Sequence, residues 1–284
     1  MKIIESHIVP AIATKIRLQE YAVGIFKMLP SKSGLKKAIK KEEILLNGKV
    51  AKTSDWIKEH QQIEYIQKEE KQIKVFQLKL EVVFEDDHLA IVNKPSGYPT
   101  SGNYFKTIEQ ALPFNLKHSP LPDALLYPVP VHRLDNPTSG LLIIAKTKSA
   151  QLKLHQDFEE KKIQKTYLAL VNGETPIQTL IKTPIEGKDA FTSYKTLKSF
   201  QHQDETYSLL EVTPKTGRTH QIRIHLSSSG FSIVGDKLYG SYEVPFRKKG
   251  LYLAAIGLEF FHPIDKTLLK LETEFPSKFS KAVS

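Results

Sequence analysis

Val131-His132-Arg133-Leu134-Asp135-Asn136-Pro137-Thr138-Ser139-Gly140 runs straight into Leu-Leu-Ile-Ile-Ala-Lys at 141–146, and the rest of the chain is best read outward from this stretch. An ionisable triplet sits in a polar loop, and the apolar run behind it is too short for a helix and has the look of a buried strand. Similar runs stand at 166–173 (TYLALVNG) and 207–214 (YSLLEVTP). Residues 80–97 (LEVVFEDDHLAIVNKPSG) read as two strands split by Asp86-Asp87 and closed by a Lys94-Pro95-Ser96-Gly97 turn. Helical patterns fall between the strands, at 149–162 (SAQLKLHQDFEEKK) and at 220–230 (HQIRIHLSSSG), where Gly230 is the stop. In that second helix Ile222 and Leu226 share the inward face, and Arg223 stands at its edge, able to reach another loop. Strands separated irregularly by helices and long loops predict an α+β domain over 80–284 with a mixed, mostly antiparallel central sheet.

The front of the chain has a different texture. After an extension at 1–15, residues 16–29 (IRLQEYAVGIFKML) space Ile16, Leu18, Tyr21, Ile25 and Leu29 as in a helix that Pro30 ends. Ser31 or Ser33 then caps a second helix at 33–42, burying Leu35, Ala38 and Ile39 and pointing Lys36, Lys37, Lys40 and Lys41 outward. Residues 44–50 (ILLNGKV) turn at Asn47-Gly48, a strong hairpin signal, and 61–66 (QQIEYI) add a strand. The polar stretch 67–79 reads as a linker.

Composition narrows the function. The chain carries 41 Lys and Arg against 31 Asp and Glu, and 16 against 9 of these lie in the first 80 residues, so the front presents a surface suited to a polyanion. The absence of cysteine removes disulfides, thiolate nucleophiles and Cys-ligated metals. No apolar run is long enough to span a bilayer, and the first residues lack the apolar core of a secretory signal, so a cytoplasmic protein without membrane contact is expected. His220 and His225 are wrongly spaced to share a helix face as metal ligands, and no glycine-rich turn offers a cofactor cradle.

Taken singly, the candidate residues have plain readings: Asp135 as a loop staple for the Asn-Pro-Thr turn, Tyr167 as a core tyrosine. Together they form a pattern. His132-Arg133-Leu134-Asp135 with Thr138-Ser139-Gly140, then Lys165-Thr166-Tyr167, Gly217-Arg218-Thr219-His220-Gln221-Ile222-Arg223 and Gly235-Asp236 with Tyr239-Gly240, preceded by Asn93-Lys94-Pro95-Ser96-Gly97, resemble the RluA-type pseudouridine synthases. The resemblance covers about 81–276 and implies the pseudouridine synthase fold. The front module, at 16–66, resembles a small α/β S-four-like RNA-binding domain, with Leu46-Asn47-Gly48-Lys49 and a Ser31-Lys32-Ser33-Gly34 turn where an arginine is usual.

The resemblance implies an isomerase that breaks the nitrogen-to-sugar bond of a uridine, turns the base and rejoins it through carbon, with no cofactor or metal. Asp135 is then the catalytic carboxylate, capturing or stabilising the sugar cation or assisting proton removal from the sugar. Arg223 pairs with it and favours its charged form, while Tyr167 packs on the base and joins the later proton transfer from carbon. Because a stacked base cannot be turned over, the nucleotide must be extruded, and Arg133 is suited to fill the gap. His132, Arg218 and His220 are further RNA-contact candidates, with seating the loop as the other reading of His132 and bracing Asp135 as the other reading of Arg218 and His220; Lys32, Lys36, Lys37, Lys40, Lys41 and Lys49 are the candidates in the front module. The implied partner is RNA, ribosomal ahead of transfer RNA, bound by a monomer without an obligate protein partner. The rival reading is a ribosome-assembly or RNA-binding protein that kept the fold without the reaction. Two departures from the family pattern, Tyr98-Pro99-Thr100-Ser101-Gly102 and Asn136-Pro137, are expected to lie away from the chemistry and to alter which RNA is accepted.

Overall fold

A computed structural model of the chain describes residues 2–67, 74–240 and 250–283. It divides into two compact units, 1–73 and 74–284.

The first unit is built on four strands, β1 (Lys2–Ile8), β2 (Ile44–Leu46), β3 (Lys49–Val50) and β4 (Gln62–Gln67), in the order β1-β4-β2-β3. All of its strand pairs are antiparallel, so the unit is α+β and not the α/β module expected. Residues 1–15 are not an appendage either, because β1 pairs with β4 along its whole length. The apolar spacing at 16–29 produces only a short helix, α1 (Leu18–Tyr21). Gly24 adopts φ +78, outside the helical region, and the chain turns there. Of the five spaced positions, Leu18 and Leu29 are buried and Ile16, Tyr21 and Ile25 are half-buried against the core, while Ala22 and Phe26, outside that spacing, are fully buried, so the pattern located the buried face only in part and the helix length incorrectly. Helix α2 (Lys32–Lys40) does form, capped by Ser31, whose hydroxyl accepts from the Gly34 amide at 3.1 Å. It buries Leu35, Ala38 and Ile39. Asn47 and Gly48, both with positive φ, make the tight turn between β2 and β3.

Residues 68–73 of the linker read at 67–79 lie outside the described residues. Residues 74–79 belong to the second unit, where Phe76 and Leu78 pack on the core and the Phe76 amide donates to the Gln110 carbonyl at 2.9 Å.

A ten-stranded sheet forms the second unit. Its strands are β5 (Glu81–Glu85), β6 (Leu89–Lys94), β7 (Ala124–Pro130), β8 (Ser139–Thr147), β9 (Gln164–Asn172), β10 (Gln178–Ile181), β11 (Thr192–His202), β12 (Glu205–Pro214), β13 (Leu253–Phe261) and β14 (Leu268–Glu272). Helices α3 (Ile108–Asn115), α4 (Lys148–Glu159), α5 (Gln221–Ser228) and α6 (Ser277–Val283) accompany them. The main path runs β10-β11-β12-β9-β13-β8-β6-β5, with β14 on β13 and β7 on β8. Only the β8–β13 pair is parallel among the described strands, so the sheet is mixed and mostly antiparallel. One row across its centre positions the site: Lys94 pairs with Gly140, Gly140 with Ala255, Ala255 with Tyr167 and Tyr167 with Val212. Gly140 permits that row, because a Cβ there would overlap the Ala255 carbonyl oxygen. No helix among the described residues is long and apolar enough to cross a membrane.

Candidate active site

The loop 131–138 enters β8 at Ser139, and its own backbone makes the turn: the Thr138 amide donates to the Asp135 carbonyl at 3.0 Å. The Asp135 side chain is therefore not consumed as a loop staple. Its Oδ2 lies 3.3 Å from Arg223 Nη1 and 3.8 Å from His220 Nε2, while Oδ1 accepts no hydrogen bond among the described residues. One oxygen is held and the other is open.

Arg223 reaches Asp135 from α5, whose start is fixed by Gln221. The Gln221 carboxamide accepts from the Thr216 hydroxyl at 2.7 Å and the Arg218 amide at 3.0 Å, and donates to the Phe191 carbonyl at 2.9 Å and the Thr192 hydroxyl at 3.0 Å. This ties the helix and its leading loop to the start of β11. Ile222 and Leu226 face the core as expected, but Arg223 is not at the edge: it is 3% exposed. A guanidinium so deeply buried needs a full set of acceptors. Asp236 supplies most of them, its Oδ2 accepting from Nε and its Oδ1 from Nη2, both at 2.7 Å. Burial alone would lower the Arg223 pKa, but the bonds to Asp236 and then Asp135 outweigh it and raise it. For Asp236 burial pushes upward, and the bonds from Arg223 and the Leu238 and Tyr239 amides hold it below the ordinary carboxylate value. Sequence reading quoted Asp236 and Tyr239 without giving either a role. Tyr239 lies under Arg223, with the guanidinium carbon 5.1 Å from the ring centroid, and its hydroxyl is 3.0 Å from His220 Nδ1, which turns Nε2 toward Asp135.

Tyr167 is buried on β9 and lines, with Asp135 and Arg223, one recess of about 100 Å³. Burial and the nearby Asp135 charge raise its pKa far above the ordinary phenol value, so at neutral pH it is an uncharged wall. Arg133 and Arg218 are exposed and, with His220, line the recess and a broader cleft of about 1020 Å³. Of the two readings of His132, its geometry fits the seat of the loop and not the RNA contact: Nε2 accepts from the Ile143 amide at 3.0 Å, and the ring packs 4.9 Å from Phe158. Burial, and the charge of Lys165, push its pKa down to about 3, so it seats the loop as a neutral ring. His225 is likewise structural, bonded to the Thr192 hydroxyl and the Thr183 carbonyl. Lys32, Lys36, Lys37, Lys40, Lys41 and Lys49 are all exposed on α2 and the β2–β3 hairpin of the first unit.

The two departures from the family pattern lie closer to the loop than expected. The Thr100 hydroxyl donates to the Leu134 carbonyl at 2.9 Å and accepts from the Leu134 amide at 3.1 Å. The Asn136 carbonyl accepts from the Gly97 amide and from Lys94. Lys94, fully buried, is the hub of this arrangement: Nζ donates to Thr138 at 2.7 Å, Pro95 at 3.1 Å and Asn136 at 3.2 Å, each through a backbone carbonyl. Burial lowers its pKa to about 8, with Asp135 pulling in the other direction.

Replacing Lys94 by Met leaves three carbonyls without their donor and is expected to cost about 3 kcal/mol or more of stability, read by denaturant unfolding. Because the folded value lies below the ordinary 10.5, the unfolded chain binds the extra proton between those limits. The stability gap between the native chain and Lys94→Met should therefore widen from pH 8 toward 10; a gap that narrows would show that Lys94 is not desolvated in this way.

The family model described as RNA pseudouridylate synthase matches residues 88–228, which contain Asp135, Tyr167 and Arg223. Ribosomal large subunit pseudouridine synthase D of Zymomonas mobilis is 34% identical over 229 residues, 70% of each chain. An uncharacterized RNA pseudouridine synthase of Aquifex aeolicus is 33% identical over 89% of each, and ribosomal large subunit pseudouridine synthase C of Vibrio cholerae is 32% identical over 88% of this chain and 82% of its own. Among solved structures, human RNA pseudouridylate synthase domain containing 1 is 27% identical with a TM-score of 0.55, over 69% of this chain and 83% of its own. With the carboxylate, the arginine and the tyrosine gathered at one recess inside the matched region, the chain belongs to the RNA pseudouridylate synthase family, in its RluA-type branch.

Proposed function

We propose that the chain converts uridines of ribosomal RNA to pseudouridine in the recess beside Asp135. The observation that carries this reading is a half-tethered carboxylate, Oδ2 held by Arg223 and Oδ1 open, sharing the recess with the neutral Tyr167 ring. In the reaction the bond between uracil N1 and C1′ breaks with its electron pair leaving on the base. The open Asp135 oxygen faces the positive charge that develops on the sugar, a demand carboxylates also meet in glycosidases. The base turns against Tyr167, C5 bonds to C1′, and the proton on C5 is lost while a nitrogen gains one, so atoms balance without a co-reactant. Arg133, exposed at the rim, takes the space the base has left. Ribosomal RNA is favoured because the relatives from Zymomonas mobilis and Vibrio cholerae carry that substrate in their names. Acting on ribosomal RNA would put the chain in the cytoplasm, and one copy of the second unit holds every group the reaction uses, so no protein partner is required.

Incubating the purified chain with unmodified ribosomal RNA and mapping pseudouridine tests the reading. Product at defined uridines is the expected result; tight binding with no product at any site would favour the non-catalytic rival.

The first unit serves in this proposal as an S-four-like RNA clamp, with the exposed lysines of α2 meeting phosphates as point charges. Replacing Lys36, Lys37, Lys40 and Lys41 by Ala should leave α2 folded, since none of the four is buried. Each lost phosphate contact should flatten the slope of log affinity against log salt by about 0.7 on single strands, with kcat on saturating RNA unchanged. A slope that does not move would mean this helix face does not meet RNA.

A further inference from the structure

Five described lysines of the second unit are buried or half-buried, and four of them reach oxygen acceptors. Lys94 holds the three carbonyls already described, Lys146 meets Glu85 at 2.7 Å, Lys153 meets Asp157 at 2.6 Å, and Lys278 meets the Leu251 carbonyl. Lys165 makes no hydrogen bond or ion pair among the described residues. Nζ lies 5.7 Å from the Phe158 ring centroid and 3.9 Å from where a Cβ on Gly217 would stand, and the neutral His132 ring is close enough to feel its charge. Burial keeps its pKa below the ordinary lysine value, as expected for an ammonium with donors and no acceptor. Such a group is costly to keep unless something completes it.

The position of Lys165 says what that is. It stands two residues before Tyr167 on β9, so the two-residue period of the strand turns both side chains to the same face. It lines the recess, the broad cleft and a third groove of about 800 Å³ that leads away past the end of α4. Lys161, Lys215 and Arg218 also line that groove, against a single acid, Glu159. When a nucleoside occupies the recess, its own sugar–phosphate linkages must lie at the mouth, where recess and groove meet.

We propose that Lys165 is the binding group for a backbone phosphate next to the extruded uridine, and that the strand on that side leaves along the groove lined by Lys161, Lys215 and Arg218. This rests on the pseudouridine synthase reading of the recess but adds a site to it. The phosphate supplies the missing acceptor, and the contact is made in the bound ground-state complex that already holds the extruded nucleotide, so its loss is read in KM.

The test uses stem-loop RNAs built around a uridine that the native chain converts, with ordinary linkages or with one uncharged methylphosphonate on its 5′ or 3′ side. For the native chain, one of the two neutral linkages should raise KM about tenfold or more, with kcat held. Lys165→Met should raise KM on the ordinary RNA by a similar factor and be indifferent to that same neutral linkage, and Lys165→Arg should recover most of the loss. Removing an unpaired, half-buried charge should leave thermal stability unchanged or raised, which separates this outcome from misfolding. A Lys165→Met chain as sensitive to both neutral linkages as the native one overturns the proposal. So does a fall in kcat at constant KM, which would put the ammonium on the base. If the native chain makes no pseudouridine, the functional reading fails on its own, and binding still decides the phosphate contact. The salt slope on the same ribosomal RNA should then shrink by about 0.7 in Lys165→Met, and an unchanged slope overturns it.

Discussion

Asp135→Asn should abolish pseudouridine formation, by about 10⁴-fold or more in kcat, while leaving the protein folded and bound to RNA. The size follows from what the substitution removes. A carboxamide has nearly the shape of the carboxylate, but it carries no charge to set against the sugar cation and has one acceptor oxygen where the carboxylate has two. The fold should scarcely notice. The Asp135 side chain is 27% exposed and meets Arg223 through one contact of 3.3 Å, a geometry worth about 1 kcal/mol or less to stability. Arg223 keeps its bidentate partner in Asp236 when Asp135 is neutral, so nothing buried is left alone. Pseudouridine mapping after single turnover, with unfolding curves and RNA affinity alongside, checks all three claims. Residual turnover within a factor of ten of the native rate would remove Asp135 from the chemistry.

The residues that could be found from the sequence are those whose spacing is local. Asp135, Tyr167 and Arg223 each lie in a short motif, and the structure brings all three to one recess although they come from a loop, a strand and a helix. The Ser31 cap and the Asn47-Gly48 turn were legible for the same reason, since each is a contact within a few residues. The supports of the site were not. Asp236 and Lys94 act through acceptors and donors that only the sheet row and the packing of α5 bring near, and neither has a local signature beyond its place in a motif. For His132 the sequence left two readings, an RNA contact and a seat for the loop, and only the strand amide and the Phe158 ring that packing brings to it decide for the second. In the first unit the apolar spacing at 16–29 found Leu18 and Leu29 but not Ala22 and Phe26, because one glycine conformation made the helix short and turned the later residues off its period. The pairing of β1 with β4 joins the two ends of the unit, a long-range contact no periodicity encodes.

Arg223→Met should destabilise the second unit by about 3–5 kcal/mol, and the cause is a carboxylate other than the catalytic one. The pairing that the family resemblance implies, Arg223 with Asp135, would put that cost on Asp135. The structure moves it to Asp236, whose side chain is 1% exposed and which would lose two bonds of 2.7 Å, keeping only the Leu238 and Tyr239 amides. Three consequences distinguish the two accounts. Adding Asp236→Asn to Arg223→Met should recover much of the lost stability, because the charge left stranded is gone, whereas adding Asp135→Asn should recover almost none. Neither double variant should turn over. Arg223→Lys should be only a partial substitute, since a single ammonium cannot match the two parallel bonds that the guanidinium makes to Asp236. The third consequence is a reversal with pH. In the native chain the Asp236 pKa is held low, so its pairing stabilises the fold above the ordinary carboxylate value and is lost as pH falls through the lowered one. Without Arg223, burial, the largest influence on this group, is opposed only by the Leu238 and Tyr239 amides and should lift that pKa above its unfolded value, so the folded chain binds the extra proton and the deficit should shrink as pH is lowered from 7 toward 5. Denaturant unfolding of the single and double variants at both pH values measures this; equal rescue by Asp135→Asn, or a deficit that grows on acidification, would return the buried charge to Asp135.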